Sequence, residues 1–260
     1  MQDFMIFEVE VLKVFFLVMA RVSGLIVAAP VLGSRNFPTA GKIGLAALTA
    51  VLITPTILAR TQTLPSDALA FSVLATGEVM IGLLMGFVMT IVFASLQVAG
   101  QIIDMQAGFG LVNVFNPALE TQFPIFGFFL FILAVLFLLI TDGHHVMLRA
   151  LVSTFDRIPL GGFVLRPELL REVSRWGAAM FVDGLIIAAP VGAALLVAYI
   201  VMGLAGRVVP QIQLFVIGFP LTIALSLFIM ALSVGIYLRV FDGMLSKMFR
   251  DVASMVNGMS

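Results

Sequence analysis

The longest uninterrupted features of this sequence are its apolar runs. Residues 43–59, 79–103, 121–141, 184–206 and 208–238 contain no Asp, Glu, Lys or Arg, and 14–30 contains one, Arg21. A hydrocarbon layer about 30 Å thick is crossed by about 20 mostly apolar residues in a helix. The first two runs have 17 residues each and the last has 31, enough for a bent helix or two shorter ones. These runs are continuously apolar, whereas membrane barrel strands alternate apolar and polar residues over about ten positions. The expected fold is therefore an all-α integral membrane-type protein of about six long apolar helices, several of them kinked or paired in hairpins.

The overall balance agrees with that fold. Apolar residues make up 62% of the chain and charged ones 11%, with a mean hydropathy of +1.19; a soluble chain of this size carries roughly twice that charged fraction. A net charge of zero gives no footprint for nucleic acid. With no cysteine, disulfides and thiolate chemistry are excluded. The start, MQDFMIFEVEVLK, is acidic before its first lysine and so reads as part of the mature protein rather than as a cleaved leader. If all six runs cross, ten of the loop and terminal Lys and Arg fall on one side and three on the other. The positive-inside rule then puts both termini in the cytoplasm.

Within the runs, small residues recur every four positions. Gly82, Gly86, Thr90 and Ala94 form one stripe, with Glu78 a step earlier; Gly184, Ala188 and Gly192 form a second; Gly218, Thr222 and Ser226 form a third. Such stripes let helix backbones approach closely in lipid, either within one chain or between subunits. Arg21, Glu78 and Asp183 are ionisable residues in or at the edge of apolar runs, and they are candidates for intramembrane ion pairs. The decapeptides VSGLIVAAPV at 22–31 and VDGLIIAAPV at 182–191 share eight of ten residues. Each is expected to end or kink an apolar helix at its proline.

Asp142, His144 and His145 stand together after the fourth run. Adjacent histidines on a helix point in different directions, so they read as helix-end residues rather than a metal site, and no metal or cofactor is expected. RPELLREVSR at 166–175 is expected to be a short amphipathic helix. FDGMLSKMFRDVASMV at 241–256, with Met244, Met248 and Met255 on one side, is expected at the membrane surface or against a partner. No catalytic triad, phosphate loop or paired-carboxylate motif is present, so no enzyme is expected.

The stretch DMQAGFGLVNVFNP at 104–117 is the anomaly. Gly108, Gly110, Asn113, Asn116 and Pro117 disfavour a helix, yet after Asp104 it has no charge and carries Met105, Phe109 and Phe115. Non-helical backbone between membrane-length runs is tolerated only where it is buried in protein or lines an aqueous path.

Taken in order, ARVSGLIVAAPVLGSRNFPTAGKIGLA, GFVMTIVFASLQVAGQIIDMQAGFG, TDGHHVMLRALVSTFDRIPLG and GLIIAAPVGAALLVAYIVMGLAGRVVPQIQLFVIGFPLTI resemble the flagellar biosynthesis protein FliR family. That family includes the matching subunit of injectisome type III secretion systems. One departure is Gln213, where many members carry Asn. The resemblance implies a non-enzymatic export-gate subunit of the bacterial inner membrane, in the flagellar basal body, that needs no cofactor. It implies a FliP-like part over 1–120 followed by 121–260, FliQ-like towards its end. It implies assembly with FliP-type, FliQ-type and FlhB-type subunits, contact with membrane lipid and passage of unfolded secreted proteins. It also implies a pore plug at 104–117 built from Met105, Gly108, Phe109, Gly110 and Phe115. The competing reading from the charged residues is a stand-alone secondary transporter.

Overall fold

The computed structural model describes residues 2–34, 36–60, 64–109, 124–164, 166–208 and 214–259. These residues form helices and no strands: α1 (Gln2–Ala28), α2 (Thr39–Leu58), α3 (Ala68–Ala107), α4 (Ile125–Ile140), α5 (Gly143–Arg157), α6 (Pro167–Val208) and α7 (Leu214–Met259). Helices α1, α2, α3, α6 and α7 are each long and apolar enough to cross a membrane; α4 and α5 together would make a sixth, bent span.

Local sequence explains many of the helix ends. Asp67 accepts the backbone N–H of Ala70 at 3.0 Å, a side-chain cap that opens α3. Pro167 supplies the first residue of α6 and Glu168 adds an acid to its first turn, where the helix dipole favours it. Helix α3 stops at Gly108, whose φ of +98° is open to glycine at little cost. The Phe109 N–H reaches back to the Asp104 carbonyl at 3.0 Å, the six-to-one bond of a Schellman stop.

Three expectations need correction. The segment 166–175 is not a separate short helix but the opening turns of α6, which runs 42 residues without a break. The 241–256 stretch continues α7, a helix of 46 residues. Its Met248 and Met255 are buried inside this chain rather than at a surface. The non-helical stretch begins later than Asp104, because Met105, Gln106 and Ala107 complete the last turn of α3 and only Gly108 ends it.

The chain divides into two compact units. The first comprises Met1–Ile91, Thr141–Trp176 and Leu245–Ser260. Its core is built from Leu17, Val18 and Leu25 of α1, Ile81 and Met85 of α3, Leu151 of α5, and Met248 and Met255 of α7; α2 packs on α1. The second comprises Val92–Ile140 and Gly177–Met244. Phe93, Leu96 and Ile103 of α3, Phe126 and Leu130 of α4, and Ile187, Val191 and Leu195 of α6 make its core. Phe93 and Phe131 meet edge to face with ring centroids 5.9 Å apart.

Candidate functional site

In the first unit, the two charges that are most expensive to bury answer each other. Arg21 and Glu78 have no solvent exposure, and the Arg21 Nε donates to Glu78 Oε2 at 2.6 Å. The remaining guanidinium donors reach Thr154 Oγ1 at 3.0 Å and the Ile158 carbonyl at 3.1 Å. The Phe155 ring lies 4.1 Å from the Arg21 Cζ, a cation–π contact. Glu78 Oε1 accepts the Gly161 N–H at 2.9 Å. The pair thus ties α1, α3, α5 and the turn after α5 to one another. Asp183, the third candidate, is a half-buried residue of the second unit.

The small-residue stripes meet partners inside this chain. A Cβ on Gly82 would land on the Arg21 carbonyl oxygen and the Gly24 Cα, so α1 and α3 cross backbone to backbone there. One turn on, Gly86 faces Ala28 and the Thr90 hydroxyl donates to the Ala28 carbonyl at 2.5 Å. Ala94 is half-buried on the same helix. In the second unit, Gly184 faces Val98 and the Ser95 carbonyl, Ala188 is buried, and Gly192 lies against the Gln106 side chain.

The base of the 104–117 stretch belongs to the second unit. Asp104 Oδ1 accepts the backbone N–H of Phe126 at 3.3 Å, so this acid at the end of α3 caps the first turn of α4 from 22 residues away. The Phe109 and Phe126 rings meet edge to face at 5.8 Å. A Cβ on Gly100 would land on the backbone N and Cα of Gly127, so α3 and the start of α4 are in close backbone approach there. The Thr222 hydroxyl donates to the Ala107 carbonyl at 2.9 Å, Tyr199 Oη donates to the Gln106 carbonyl at 2.5 Å, and Gly108 lies under the Phe219 ring. Met105 is 75% exposed, a large apolar side chain left uncovered by this chain. Gly110 and Phe115, the other expected plug residues, lie outside the described residues.

Sequence reasoning missed two parts of this picture. The role of Asp104 was signalled only by its being the last charge before a long uncharged stretch. Thr154, Phe155, Ile158 and Gly161, which surround the Arg21–Glu78 pair, carry no local pattern at all. A third feature differs from expectation: the His144 and His145 rings do not diverge but lie with centroids 4.1 Å apart, beside Asp142.

Residues 12–248 match the family described as Bacterial export proteins, family 1. Flagellar biosynthetic protein FliR of Escherichia coli (strain K12) is 32% identical over 250 residues, covering 95% of this chain and 94% of that one. The chain belongs to the FliR family. FliR of Bacillus subtilis (strain 168) is 33% identical over 223 residues, 84% of this chain and 85% of its own. FliR of Caulobacter vibrioides is 30% identical over 219 residues, 84% and 87% of the two chains. Both the buried ion pair and the α3–α4 junction fall inside the stretch that defines this FliR-family chain.

Proposed function

We propose that this chain is a subunit of a flagellar type III export gate in the bacterial inner membrane, and that the stretch following α3 helps to seal its protein-export channel. Family membership supports the first part. The second rests on one observation: the flanks of the uncharged stretch are tied to each other by the Asp104–Phe126 bond and the Phe109–Phe126 contact. An apolar segment anchored at both flanks can hold a constriction closed by excluding water, and Met105 adds a deformable apolar side chain at its start.

Assembly with FliP-type, FliQ-type and FlhB-type subunits belongs to the same reading. It is supported by α6, in whose most apolar stretch only 22% of residues are buried, against 56% in α3. Phe181, Leu185, Ile186, Leu196 and Ile200 point away from their own chain and require lipid or other subunits to cover them. The carrier reading is weakened by the same structure, because Arg21 and Glu78 neutralise one another instead of facing an ion path.

Replacing Phe109 and Phe115 together by Ala, in cells that assemble the complete export apparatus, tests the seal. The expected outcome is ion and small-dye leak across the inner membrane with normal recovery of the assembled complex. Intact assembly with no added leak removes the plug assignment, while loss of co-purification of the wild-type chain with FliP-type and FliQ-type subunits removes the gate assignment.

A further inference from the structure

The start of α5 carries a group of side chains to which the proposed export-gate reading assigns no role. Asp142, His144 and His145 each offer a ligand atom, and these atoms all lie within 4.8 Å of one another. Asp142 stands where a helix cap belongs, yet its carboxylate makes no cap bond to the first turn of α5. Its backbone is left-handed, with φ 55° and ψ 22°, a conformation that is strained for a non-glycine residue. That backbone turns the carboxylate towards the neighbouring imidazole instead, with Asp142 Oδ1 3.2 Å from His145 Nδ1. Two donors bound to one tetrahedral zinc ion stand about 3.3 Å apart, given metal–ligand bonds near 2.0–2.1 Å.

His144 supplies the second observation. Its Nδ1 is shielded from solvent and has no hydrogen-bond partner among the described residues. A shielded polar nitrogen without a partner is unfavourable, because it has given up water and gained nothing in return. Two imidazoles and one carboxylate are a donor set suited to borderline divalent cations, zinc above all, with the remaining position open to water. Asp142 and His145 have side chains 74% and 57% exposed, so they can rotate to close the remaining gap.

From this arrangement we infer that Asp142, His144 and His145 bind one zinc ion per chain, which pins the left-handed residue at the start of α5. The site is independent of the pore plug, since no residue is shared. Metal binding would offset the backbone strain at Asp142 by giving its carboxylate a stronger partner than the N–H it forgoes.

The test uses the full chain purified in detergent with its export-apparatus partners, stripped with a chelator and titrated with zinc chloride alone. One saturable equivalent per chain is expected, with affinity falling about tenfold or more in Asp142→Asn and in His145→Ala. Cobalt(II) gives a second readout in the same preparations: a visible absorption band of a nitrogen- and oxygen-liganded ion, lost in Asp142→Asn. That variant keeps the side-chain shape and so reports on ligation even if the histidine variants fold poorly. Absence of saturable zinc uptake overturns the site, as does an affinity and cobalt spectrum unchanged by Asp142→Asn.

Discussion

Arg21 shows how far a single residue can depart from its surroundings and still be accommodated. A guanidinium with no solvent exposure survives in an apolar helix because its donors find Glu78, Thr154 and the Ile158 carbonyl. Removing one partner leaves the other charge buried and unanswered, which costs about 3–5 kcal/mol. Arg21→Ala and Glu78→Ala are therefore each expected to lower the melting temperature of the detergent-solubilised protein sharply. The double replacement Arg21→Met with Glu78→Leu is expected to recover most of that loss, because it removes both desolvated charges. Equal additive losses in the double variant would show that the pair is not a coupled unit. Val31 and Asp142 are the described non-glycine residues with positive φ, and each follows the end of an apolar helix.

Helix ends show how the same ten residues behave in two places. VSGLIVAAPV leads to a stop: α1 ends at Ala28, and Gly33 and Ser34 donate to the Ala29 and Val31 carbonyls in a run of turns. VDGLIIAAPV leads to no stop, and α6 passes through Pro190. The difference lies downstream, where LGSRNFP carries turn formers and GAALLVA carries helix formers. One missing backbone donor does not decide the matter alone. Helix crossings give a sharper prediction. Gly82→Ala drives a methyl group into the backbone of α1, so a loss of about 3 kcal/mol is expected. Gly44→Ala in α2 meets nothing within 4 Å and is expected to stabilise by up to about 1 kcal/mol. Thermal melts of the two variants under identical detergent conditions check the contrast. Similar melting temperatures would mean that α1 and α3 do not cross at Gly82.

At the scale of the whole molecule, apolar surface dominates. Much of α6 and α7 is uncovered by the chain's own residues, including Leu185, Leu196, Ile200, Phe228 and Leu232. Substituting Leu185 and Ile200 together by Gln is expected to lower recovery of the assembled complex severalfold while helix content, read by circular dichroism, stays unchanged. Unaltered recovery would assign that face to lipid or to no partner. The helical class and the membrane character were legible in the runs themselves, since uncharged stretches of membrane length leave a chain few alternatives to helices. The stripes, the two buried charges and the anomalous 104–117 stretch were also visible as candidates. Their partners were not, because a spacing of four names a helix face but not what covers it. That Glu78 answers Arg21 across 57 residues, that Asp104 caps α4, and that Met248 and Met255 pack inward are decided by which helices lie side by side. Local propensity and hydropathy determine where helices form, whereas pairing of distant charges and closeness of backbones arise only when burial brings remote segments together.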